Sequence, residues 1–149
     1  MKFSLNSLKV SIAGARLSHL VQKDRMWDHG SMIEQVRTAF IYLKKAFLRN
    51  DPSAVKKCMT PECYKRISEE IQLKGSVITD ADLLSVEIIS VVPARNHHPD
   101  KFKALLRLKK TEEARLNDPV SFYKTNPLTE QEWLFVRDSN WWLLDEIRR

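Results

Sequence analysis

The chain has 149 residues, enough for one domain with its own hydrophobic core. A hydrophobic content of 43% excludes a disordered tail, and no apolar run reaches the roughly 18 residues that a membrane span requires. The net charge of +6 favours anionic partners without choosing among nucleic acid, anionic lipid and acidic protein.

Residues 1–27 read as a basic N-terminal arm. Lys2, Lys9, Arg16, Lys23 and Arg25 stand against Asp24 alone, a balance of +4 in this segment. Leu5, Leu8, Ile12 and Ala15 fit one helical face, while Leu8, Val10 and Ile12 also fit a strand alternation, so the conformation stays open. No clean apolar stretch follows Lys2, which argues against a secretory signal. A basic, Ser-bearing, amphipathic start suits a membrane-surface arm or an organellar presequence. The competing reading is an extension that is solvated or packed on its own domain.

Residues 28–149 read as the folded domain. Asp28 or Ser31 can cap a helix, with Glu34 at capping-box spacing from Ser31. Ile33, Val36, Phe40, Leu43 and Phe47 then repeat in steps of three and four as a buried stripe, with Arg37, Lys44, Lys45 and Arg49 facing water. Asn50-Asp51-Pro52 ends this helix, and Ser53 opens a short one through Met59. Thr60-Pro61 starts a third, an N-cap followed by proline at the first helical position. Tyr64, Ile67 and Ile71 form its apolar face, and Gly75 is its stop.

Beyond Leu83 the period changes to two. Leu84, Val86 and Ile88 alternate along a strand that ends near Val92, and Pro93 to Asp100 is a turn. Phe102, Ala104, Leu106 and Leu108 mark a second strand. The polar stretch that follows has room for one irregular strand around Val120 to Tyr123. Glu132 to Arg137 and Trp141 to Ile147 form a hairpin across Asp138-Ser139-Asn140. Helices first and hairpin-linked strands afterwards imply an α+β fold, N-terminal helices packed on an antiparallel sheet of about four strands. The helical and strand stripes need each other as partner surfaces. Phe40, Leu43, Phe47, Tyr64, Ile67, Val86, Leu106, Trp133 and Phe135 are therefore expected to line one apolar interior.

Three features resemble a known family: the helix end Ala46-Phe47-Leu48-Arg49-Asn50-Asp51, the Met59-Thr60-Pro61-Glu62-x-Tyr64 helix start and the closing Glu132-x-Leu134-Phe135-Val136-Arg137-Asp138-x-Asn140-Trp141-Trp142-x-Leu144-x-x-Ile147 hairpin. Together they look like the C-terminal domain of the mitochondrial import inner-membrane translocase subunit 44 and its bacterial relatives, over residues 27–149. The resemblance implies a curved sheet of the nuclear-transport-factor-2-like cone type enclosing an apolar pocket. It also implies action at membranes or as an adaptor, pairing of two copies through the sheet, and lipid contact from a helical segment ahead of the domain. The chaperone-tethering region of that family has no counterpart here.

The cone fold also hosts isomerase- and cyclase-like enzymes, which need an inward acid or base beside a polar donor. Glu87, Arg107 and Glu132 fall on outward parity, and His97 and His98 sit in a Pro-flanked turn. Asp80 and Asp82 are better explained by turn chemistry. No phosphate loop, dinucleotide fingerprint or nucleophile elbow is present. Lys101, Lys103, Arg107, Lys109 and Lys110 make a basic strand without interleaved aromatics for base stacking, which counts against nucleic acid. Cys58 and Cys63 form a lone Cys-x4-Cys, short of the four ligands of structural zinc, and are expected as reduced thiols.

The expected function is a non-enzymatic binding or adaptor domain with no cofactor and no metal. Lys2, Lys9, Arg16, Lys23 and Arg25 would contact an anionic membrane, with Leu5, Leu8, Ile12, Leu17, Leu20 and Trp27 inserting at the interface, and the rest would dock a protein partner. The alternative is a small-molecule-binding or isomerase/cyclase-like protein with an apolar ligand. Either suits a cytoplasmic or membrane-peripheral protein, or the mitochondrial matrix in a eukaryote.

Overall fold

A computed structural model of the chain describes residues 5–73, 77–111 and 128–149. The described elements run α1 (Leu5–Leu20), α2 (His29–Arg49), α3 (Pro61–Leu73), then strands β1 (Ala81–Val92), β2 (Lys101–Lys110), β3 (Leu128–Asp138) and β4 (Trp141–Arg148). Short 3-10 turns lie at Arg25–Trp27, Pro52–Cys58 and Val77–Asp80. The four strands form one antiparallel sheet in the order β1-β2-β3-β4, with helices packed on it. The α+β architecture expected from the periodicities is the one found. The irregular strand expected around Val120 to Tyr123, and the helix stop at Gly75, lie outside the described residues.

The capping chemistry sets the helix ends. Asp28 accepts from the Ser31 N–H at 2.9 Å and starts α2. Asn50 ends α2 in the left-handed region at φ 54°, and the Asp51 N–H reaches back to the Ala46 carbonyl at 3.0 Å. Thr60 caps α3 by accepting from the Cys63 N–H at 3.3 Å, with Pro61 as the first helical residue. The segment from Ser53, expected as a short α-helix, is a 3-10 turn whose entry is fixed by Asp51 accepting from the Ser53 N–H.

The buried face of α2 is Met32, Val36, Ala39, Phe40, Leu43 and Ala46, while Ile33 and Phe47 pack at its margin. It is thus centred slightly off the expected stripe. Ala39 and Ala46 carry little apolar signal in sequence, yet their small side chains belong to the face that meets the core. In β1, register shifts between Leu83 and Ser85 and between Ile88 and Ser90 break the simple alternation. Leu84 is consequently exposed, and Ile89 and Val91 are buried.

Rows of paired residues cross the inner face of the sheet. Ile88 pairs with Ala104, Ala104 with Trp133, and Trp133 with Ile147. Val91, Phe102, Phe135 and Leu144 form the next row. Phe102 stacks on Phe135 at 4.8 Å between ring centroids and meets the edge of Trp142 at 4.9 Å. From α2, Phe40 reaches Trp133 at 6.1 Å. Leu43 is fully buried whereas Phe47 is half-buried. Leu43→Ala should therefore cost about 2–5 kcal/mol in urea unfolding, and Phe47→Ala clearly less. A larger loss at Phe47 would place the centre of the buried face where the periodicity alone put it.

Candidate functional site

Residues 5–27 are not a free arm. The α1 helix lies on β1, and Ala13 and Leu17, one turn apart, are buried in the same core as the sheet. Leu5, Leu8 and Ile12 fall on another side of α1 and remain 67%, 44% and 51% exposed. The helix is thus apolar on two sides, one docked and one open. No acidic residue occurs before Asp24.

The segment after α1 is pinned to the far end of the sheet. Trp27 packs on Trp142 at 5.1 Å between ring centroids. Trp142 Nε1 donates to the Met26 carbonyl at 3.1 Å, and its backbone N–H donates to Gln35 Oε1 at 3.1 Å. Arg137 Nη1 pairs with Asp24 and also with Asp100 at 3.0 Å. The guanidinium of Arg137 and the Met26 N–H hold the Asp24 carboxyl below its ordinary value of 3.8. Because Arg137 neutralises the one acid of the segment, the surface from Leu5 to Trp27 acts electrostatically as a basic one.

Of the residues expected at a membrane, Arg16, Lys23 and Arg25 are exposed and Lys9 is half-buried, while Lys2 lies outside the described residues; Leu17 and Trp27, expected to insert at the interface, are instead buried in the core. Arg16 Nη1 donates to the Val91 carbonyl at 3.3 Å. With His19, Leu20, Val92 and Arg95 it lines a groove of about 470 Å³ between α1 and the end of β1.

The nine residues expected to line an apolar interior are brought together. Phe40, Leu43, Ile67, Val86, Leu106, Trp133 and Phe135 are buried in one cluster, against which Phe47 and Tyr64 pack. A second groove, of about 510 Å³, lies on the surface where α2 meets the start of β1 and borrows only Phe40 from that set. Its walls include Arg37, Ile41, Lys44, Lys45 and Leu48. The cations of this wall read as solvent-facing in the sequence, and Ile41 and Leu48 lie off its buried stripe; their spacing of seven is the signal that marks them.

The polar candidates for chemistry are dispersed. Glu87 pairs with Arg107 on the outer face of the sheet, and Arg107 also meets Glu130 at 3.3 Å. Lys103 lies 3.6 Å from Glu132. Much of the basic strand is thus matched by carboxylates on its neighbours. Asp82 pairs with Lys44 at 3.1 Å, and Asp80, His97 and His98 are exposed. Among the described residues, no group of three or more His, Cys, Asp or Glu side chains could hold a metal ion. Both cysteines are free. Burial pushes the Cys63 thiol up to about 11 and raises Cys58 as well, which leaves both poor nucleophiles near neutral pH.

No family model matches this chain, and no curated protein matches it. Among solved structures it is similar to a SEC-C motif containing protein from Rhodopseudomonas palustris, with 10% identity over 70% of each chain and a TM-score of 0.40. The resemblance to the translocase subunit 44 family is therefore corrected: neither a family model nor a curated protein of that family matches the chain. The residues that carried it have local explanations. Thr60 caps α3, its hydroxyl donates to Asp145 Oδ1 at 2.9 Å, and its N–H donates to the Leu144 carbonyl. Trp133 and Trp142 fill the core of an open sheet, while Trp141 is exposed. Such packing and capping arise in many folds.

The Asp24–Arg137 pair makes a checkable statement about acid stability. A carboxylate whose folded pKa lies below its unfolded one stabilises the fold above the unfolded value and loses that contribution as pH falls through the folded one. Asp24→Asn should lower the melting temperature near neutral pH, and the gap to wild type should close as pH drops below 3.8. A gap that stays constant through that range would show that the pair contributes nothing through its charge.

Proposed function

We propose that this chain is a non-enzymatic binding domain whose α1 helix contacts an anionic membrane peripherally. The observation that carries the reading is the open stripe Leu5, Leu8 and Ile12 on a helix whose other side is anchored through Ala13 and Leu17. An anchored helix has already lost its folding entropy before it meets a surface, so less of the interaction energy is spent on ordering it. Arg16, Lys23 and Arg25 are exposed in the same segment, and its one acid is held by Arg137.

Two contributions of different kind support contact. Full burial of a leucine or isoleucine side chain is worth about 1.5–3 kcal/mol. A cation near an anionic leaflet adds about 1 kcal/mol, and salt screens that part over a Debye length of about 8 Å. No helix among the described residues is long and apolar enough to cross a membrane, so contact through α1 would be interfacial. The dispersal of Glu87, Asp82, His97 and His98 supports binding rather than catalysis, and turnover in an isomerase or cyclase screen would overturn that half of the reading.

Vesicle flotation tests the other half. Wild-type protein should float with phosphatidylcholine vesicles that contain phosphatidylglycerol, less so in high salt. Leu8→Glu with Ile12→Glu should weaken partitioning roughly tenfold or more while melting as wild type does. Protein that ignores anionic vesicles at low salt, or a double variant that floats unchanged, contradicts the reading.

A further inference from the structure

The α2 groove is a separate surface with its own pattern. Arg37, Ile41, Lys44 and Leu48 step by four, three and four, so they form one ridge along α2, and Lys45 lies beside it. Phe40 and Leu83 close the groove toward the sheet. Ile41 is 52% and Leu48 62% exposed, although both sit on a helix that already has a complete buried face. From Arg37 to Leu48 the ridge rises about 17 Å, three turns of helix.

Charge on the ridge is unbalanced. Lys44 donates to the Ala81 carbonyl at 2.8 Å and pairs with Asp82, which fixes its ammonium at the wall. Arg37 makes no ion pair among the described residues, and the Lys45 ammonium lies 5.9 Å from the Tyr42 ring centroid with no carboxylate partner among them. Two cations are thus left to face whatever enters. The groove is concave, which a flat bilayer cannot fill, and the Asp82 carboxylate at its rim is already matched by Lys44.

We infer that this groove docks an acidic amphipathic helix of a partner protein. Apolar side chains seven residues apart on the partner seat against Ile41 and Leu48, and its flanking carboxylates meet Arg37 and Lys45. This is helix-in-groove recognition, in which apolar anchors at helical spacing give affinity and flanking charges give orientation. It stands on residues that the α1 reading does not use, so each can fail alone.

The probe is a fluorescent three-heptad helical peptide with Leu at a and d and Glu at e and g, beside a counterpart with Lys in place of Glu. By anisotropy, the full chain should bind the Glu peptide and not the Lys peptide. Ile41→Ser with Leu48→Ser should weaken binding more than about tenfold without lowering the melting temperature. Arg37→Glu with Lys45→Glu should exchange the preference, losing the Glu peptide and gaining the Lys one. Leu8→Glu should leave peptide binding as in wild type. Absence of binding to the Glu peptide, equal binding of both peptides, or Ser variants that bind like wild type would each overturn the inference. So would a loss of vesicle binding in the Ile41 and Leu48 variant, which would make this face a membrane surface.

Discussion

The joint between Trp27 and Trp142 is the contact on which the N-terminal part of the fold depends. Its rings join Phe102 and Phe135 in one aromatic cluster at the end of the sheet. Around it, the Met26 carbonyl accepts from the Trp142 indole, and Arg137 spans Asp24 and Asp100. This joint fixes where α1 ends and α2 begins, so α1 is left with one course, back along β1. The apolar part supplies the larger energy, since burial of an aromatic ring outweighs a half-exposed ion pair. The polar part adds direction, with Arg137 held between the carboxylates of Asp24 and Asp100.

Placement of α1 in turn decides what the molecule offers to partners. With Ala13 and Leu17 turned into the core, Leu5, Leu8 and Ile12 are presented to solvent. The other open apolar side chains used above, Ile41 and Leu48, sit on α2 near the start of β1, while the Arg16 groove lies at the end of that strand. From Asp82 to Val92 the strand spans about 30 Å. Two grooves thus lie at opposite ends of one edge strand.

Much of this fold was legible in the sequence. The change of period from 3.6 to two near Leu83 placed the helices and strands, and Asp138-Ser139-Asn140 placed the hairpin, where Ser139 takes the left-handed conformation at φ 54°. Of the nine residues expected inside, Phe40, Leu43, Ile67, Val86, Leu106, Trp133 and Phe135 are buried and each lies on a regular stripe, while Phe47 and Tyr64 pack at the margin. What was not legible has physical causes. The two apolar sides of α1 overlap in sequence and imitate a strand alternation. The two register shifts in β1 move Leu84 out and Ile89 and Val91 in, which no local pattern announces. Asp24 and Arg137 are 113 residues apart, and single-sequence patterning carries no information about such a pair. The translocase resemblance failed because a capped Thr-Pro helix start and a tryptophan hairpin answer to local stability and mark no one family.

Amide hydrogen exchange along α1 tests the account most directly. A helix docked through Ala13 and Leu17 and held by the Trp27–Trp142 joint should show strong protection at residues 13 to 17. Trp27→Ala should abolish that protection while β2 and β3 stay protected. Exchange of wild-type α1 at the rate of an unfolded peptide would contradict it, and would return residues 5–27 to a free basic arm.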